Sequence, residues 1–62
     1  MTRADARPRV HLRRLGKYWT YALGPTAAEQ GGGPTPGEQL DRALANLGDR
    51  ARGGVVVIVE GD

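Results

Sequence analysis

The stretch RVHLRRLGKYWTYAL, residues 9–23, reads as a β-hairpin. Apolar and polar residues alternate on both sides of Gly16, and glycine supplies the positive φ that a tight turn demands. With Leu15 and Gly16 as a two-residue loop, Leu12 pairs with Trp19 and Val10 with Tyr21. Those four residues and Leu23 then share one face, while His11, Arg13, Tyr18 and Thr20 share the other. A three-residue loop with a bulge at Gly16 would shift the register by one and mix the two faces, so the two-residue loop is the register that yields one coherent apolar face.

Working outward, residues 1–8 show no periodicity and read as a flexible basic arm, which leaves residues 9–62 as a single small αβ domain. Residues 24–34, GPTAAEQGGGP, read as a connector with room for a short, irregular fourth strand near residues 27–30. The three glycines are not a phosphate-binding loop. Such a loop needs Lys and Ser or Thr directly after its glycines, and Pro34, Thr35 and Pro36 follow here. Those residues open a helix instead: Thr35 is a good N-cap, Pro36 suits the first helical position, and Glu38 completes a capping box. Leu40, Ala43, Leu44 and Leu47 recur at i, i+3, i+4 and i+7, which places one apolar stripe on the helix. Gln39, Asp41, Arg42 and Asn46 fall mostly outside the stripe and are expected at the solvent. Gly48 is placed to end the helix in a left-handed cap.

After Gly53 and Gly54 comes VVVIV, residues 55–59. Five consecutive β-branched residues predict a strand buried on both faces. On a free edge the same run is an aggregation hazard, and Arg52, Glu60 and Asp62 flank it as charged gatekeepers. The fold class is thus α+β, in the order β-β-α-β, with a three-stranded sheet and one helix packed on one face. One helix covers one face only, so the second face calls for another chain.

Composition bounds the function. A chain of 62 residues buries only about 60% of its unfolded surface, and domains of this size are commonly reinforced by disulfides, a metal or association. There is no Cys and a single His, so no disulfide, thiolate site or metal is expected, and no cofactor. That leaves a homo-oligomer, dimer or higher, with Val55, Val57 and Val59 as its interface. No stretch approaches the about 18 apolar residues that cross a bilayer, and there is no apolar signal core, so the expected location is cytoplasmic with no membrane partner. Ser is absent as well as Cys, and the four Thr have no base nearby in sequence. His11 stands without a catalytic constellation, so the chain is not expected to be an enzyme.

Charge is unevenly spread. Six of the nine basic residues fall within the first 17 positions, with Asp5 the only acid among them. This asymmetry points to an anionic partner, although a solvated charged face explains it equally well. The candidate binding surface, for a protein or a nucleic acid, is Arg9, His11, Arg13, Arg14, Lys17 and Tyr18. Basic groups interleaved with aromatic rings suit phosphate contact and base stacking, but in the preferred register Tyr18 is the only exposed ring.

The aromatic second strand (Tyr18, Trp19, Tyr21), the Gly24-Pro25 loop, the Thr-capped helix with its Ala43-Leu44-Ala45-Asn46-Leu47 segment and the Val-rich strand together resemble the HicB-like antitoxin fold. The resemblance spans roughly residues 9–60 and its motifs are loose. It implies a partial ribonuclease-H-like sheet with a helix on one face, and a protein that neutralises a small toxin by binding it. The expected function is therefore a small non-enzymatic protein-interaction module, antitoxin-like, that occludes a partner. The alternatives are a small nucleic-acid-binding protein of phage or mobile-element type, and a structural subunit of a larger assembly.

Overall fold

The computed structural model describes residues 7–61. Most of the expected basic arm, residues 1–6, lies outside them. Pro8 belongs to the folded domain, because its carbonyl accepts a hydrogen bond from Val56 N–H at 2.9 Å. The elements are β1 (Arg9–Leu15), β2 (Tyr18–Ala22), β3 (Gln30–Gly33), α1 (Pro36–Leu47), a 3-10 turn (Gly48–Ala51) and β4 (Val56–Glu60). The sheet has four strands in the order β3-β2-β1-β4. β1 is antiparallel to β2 and parallel to β4. The fold is the expected small α+β arrangement, one helix on a mixed sheet, and no helix among the described residues is long and apolar enough to cross a membrane.

The hairpin forms with its turn one residue later than expected. Leu15 pairs with Tyr18, Arg14 with Trp19 and Leu12 with Tyr21, so the loop is Gly16-Lys17 rather than Leu15-Gly16. Gly16 has φ +63 and no described non-glycine residue has a positive φ. Glycine at the first central position followed by a negative φ is the pattern of a type II′ turn, whose twist matches the strands it joins. The pairing slips by two positions, and a slip of two returns every side chain to its face. Val10, Leu12 and Tyr21 therefore meet Ala43 and Leu47 in the core, with Trp19, Leu23, Leu40, Ala51 and Val55 packed around them.

β3 runs over Gln30–Gly33 and overlaps the expected 27–30 segment only at Gln30. It pairs with β2 through Trp19↔Gly33 and Tyr21↔Gln30, with an irregularity between them. Glycine is a poor strand former, and what holds these three in place is the helix beneath. Gln39, expected at the solvent, is fully buried, and its Oε1 accepts from Gly32 N–H at 3.1 Å. A Cβ at Gly33 would sit 2.8 Å from Gln39 Nε2, and one at Gly31, where φ is +75, would collide with Gln39 Oε1. The glycines leave the space that Gln39 fills.

α1 begins at Thr35, in extended geometry, with Pro36 in its first turn, but no side-chain cap bond forms. Glu38 does not complete the capping box and instead pairs with Arg42 at 3.4 Å. The fully buried positions are Gln39, Ala43 and Leu47, so the buried line is centred one residue N-terminal to the apolar stripe. Asn46 is exposed, yet its Nδ2 donates to Tyr21 Oη at 2.7 Å and ties the helix to the sheet. Gly48 ends the helix at φ +57, ψ −128, which is not the left-handed cap, and its N–H bonds the Leu44 carbonyl.

The largest correction concerns the valine run. It forms the outer strand of the sheet, beside β1, and no residue of β4 is fully buried. α1 lies over β3, β2 and β1 and stops short of β4.

Candidate functional site: an open strand edge and a charge-compensated hairpin face

Two surfaces hold the residues singled out from the sequence. The first is the sheet face turned away from α1. Alternation along β1 sends Val10 and Leu12 to the helix and Arg9, His11 and Arg13 to the opposite side. Here His11 Nδ1 lies 3.0 Å from Glu60 Oε1. A carboxylate only accepts, so Nδ1 donates in this contact, and the buried Nε2 has no partner among the described residues. Arg13 donates to Glu29 at 2.8 Å. Residues 24–29 cross over this face, so Ala22 is buried on the side the helix does not reach. His11, Arg13, Ala22, Glu29 and Glu60 line a cleft of about 140 Å³ beneath that segment. The second face is therefore partly covered by the chain itself, where the sequence pattern called for another chain.

The expected basic surface is thus divided. His11 and Arg13 are each matched by a carboxylate, one from β4 and one from the 24–29 segment. Arg14 points to the helix side, opposite Trp19, and its Nε donates to the Gly16 carbonyl at 3.2 Å. Lys17 lies at the turn and Tyr18 beside it is 64% exposed. Arg9 is exposed at the start of β1, paired with Val56. No group of three or more His, Asp or Glu suited to a metal occurs among the described residues.

The second surface is β4. Parallel pairing sets Val57 beside Val10 and Val59 beside Leu12, so these two valines face the helix side of the sheet. α1 does not extend over them, and Val57 is 39% and Val59 62% exposed. Val55, the third expected interface residue, is half-buried and also packs against the core. The backbone is equally telling. Val56 N–H bonds Pro8, and successive residues of a strand turn their N–H and C=O to opposite edges. Val56, Ile58 and Glu60 therefore serve the ladder with β1, while Val57 and Val59 present both groups at the free edge. Sequence pattern picked out these valines but expected their strand to be buried on both faces. The property it missed is that their main chain, as well as their side chains, is open. No protein-family model, curated protein or solved structure matches the chain.

Proposed function

We propose that the chain is a small, non-enzymatic protein-interaction module that docks a partner protein along β4, extending its own sheet and occluding the partner in the antitoxin-like manner that the resemblance implies. The observation that carries this reading is the coincidence at one edge of free N–H and C=O groups with exposed valine side chains (Val57 and Val59). Strand addition draws on both: main-chain hydrogen bonds supply affinity, and alternate side chains supply selectivity. Open apolar edges are normally covered or charged in proteins that remain alone.

A photo-crosslinking amino acid at position 59, with position 41 on the exposed side of α1 as control, tests this in cells that make the protein. A defined protein adduct at 59 and none at 41 is the expected result. No protein adduct at 59 refutes the reading.

Nucleic-acid binding is the second reading, favoured by the exposed tip formed by Arg14, Lys17 and Tyr18. Against it, Arg13 and His11 already face Glu29 and Glu60. Binding of this kind weakens steeply with salt as counterions are released, and the combined Ala replacement of Arg13, Arg14 and Lys17 would abolish it. A salt-insensitive result, or wild-type binding by that variant, removes it.

A further inference from the structure

We infer that the partner seated on β4 is a second copy of this chain, its β4 running antiparallel about a two-fold axis at Val57. The inference rests on the reading of β4 as a docking edge.

An isologous contact needs a surface complementary to itself, and β4 has one. Because Val57 and Val59 carry the outward N–H and C=O groups, the hydrogen-bonded pairs of an antiparallel partner must join odd-numbered residues to odd-numbered residues. An axis at Val57 gives Val57↔Val57 and Val55↔Val59 as such pairs, with Val56↔Ile58 between them. Every residue of the 55–59 run then meets another β-branched residue, the side-chain type that fits a pleated surface well. An axis one residue later, at Ile58, would set Glu60 against Val56 and leave Val55 opposite Gly61.

Charge favours the same arrangement. The two ends of β4 differ in charge: Arg52 and the neighbouring Arg7 and Arg9 lie at its start, whereas at its end Glu60 lies beside His11 and the Glu29-paired Arg13. A parallel partner would stack like on like, whereas an antiparallel one sets the acidic end of each copy against the basic end of the other. With the axis at Val57, Glu60 falls opposite Gly54. That residue has no side chain, so none stands between the two strands there. The product is a continuous eight-stranded sheet with both helices on one side. A single strand pair is a small interface, so association on the order of micromolar is expected.

The chain has no native Cys, which makes single-cysteine variants decisive. Paired residues on antiparallel strands have Cα atoms about 4.5–5.5 Å apart, within disulfide reach, whereas Val59 of one copy would lie about 13 Å from Val59 of the other. Under mild oxidation V57C should form disulfide dimer at least about tenfold more readily than V59C, and a mixture of V55C with V59C should form the heterodimer. Circular dichroism of each reduced variant confirms that it is folded. V57P supplies an independent arm: Val57 N–H takes no part in the β1 ladder, so proline there should leave the domain folded and make it monomeric in sedimentation.

Efficient dimer from I58C but not V57C overturns the register, and efficient dimer from V59C overturns the arrangement. Wild-type protein that sediments as a monomer at several hundred micromolar overturns self-pairing. If that monomer still yields an adduct with a different protein at position 59, the docking edge stands and only the identity of its partner falls. If it yields no protein adduct, both fall.

Discussion

Replacing Gly33 with Ala should destabilise the domain through one contact, and removing that contact should remove the cost. Gly33 is buried and its φ is not in the positive range, so alanine meets no backbone strain there. The added methyl would lie 2.8 Å from Gln39 Nε2 and 3.4 Å from Glu38 Oε2. The amide is at the end of a flexible side chain, but Gln39 is fully buried and bonded to Gly32, so it cannot swing aside without breaking that bond. Overpacking of this kind costs about 1–3 kcal/mol. In a Gln39→Ala background the methyl enters vacated space, and a glycine-to-alanine change at a compatible φ is neutral or stabilising by about 0.4–1 kcal/mol. The coupling energy between the two sites is therefore expected at about 1–4 kcal/mol. Urea denaturation of the wild type, both single variants and the double variant measures it. A domain of this size has a total stability on the order of 3–9 kcal/mol at the usual value per residue, so all four species are measurable if the experiment is run cold. Thermal midpoints should follow, at about 4–8 °C per kcal/mol. If Gly33→Ala costs the same with and without Gln39, to within about 0.5 kcal/mol, the glycines are not there to accommodate the glutamine.

Three further outcomes are expected. Tyr21→Phe and Asn46→Ala each remove the 2.7 Å bond between helix and sheet; each should cost about 1 kcal/mol and the double variant less than the sum, as read from urea midpoints. Gly16→Ala places a side chain at φ +63 and should cost about 1–2 kcal/mol, whereas Lys17→Ala, at a negative φ, should be near neutral in the same melts. Arg13→Ala breaks an ion pair whose two side chains are 55% and 35% exposed, so its effect on the thermal midpoint should correspond to no more than about 1 kcal/mol; a larger loss would mean that Arg13 anchors the 24–29 segment.

The elements differ in how far local pattern could reveal them. The helix was legible because Thr35, Pro36 and Gly48 mark its ends and the leucines repeat at its period. The faces of the hairpin were legible for a similar reason, but its register was not. Moving the turn from Leu15-Gly16 to Gly16-Lys17 shifts the pairing by two, and alternation is blind to a shift of two. β3 was obscured because glycines signal a loop, and only the long-range contact with Gln39 accounts for them. Gln39 was misassigned for the converse reason: a polar residue reads as surface until a backbone N–H is found to receive it. The burial of β4 was overestimated because β-branched composition measures how well a strand packs, not how many neighbours it has. In the candidate site, the valines could be picked out by residue type. The compensation of His11 and Arg13 could not, since Glu60 and Glu29 are distant in sequence.

The parallel pairing of β1 with β4 also governs how the chain is made. Partners such as Val10 and Val57 are 47 positions apart, so the ladder closes only after nearly the whole domain has been synthesised. Contacts this distant slow folding, and the segment kept waiting is the one most prone to stick to other chains. The order of synthesis limits that danger: β1, β2, β3 and α1 are all made before VVVIV. The most adhesive strand is thus made last of the four, after the β1 strand that receives it.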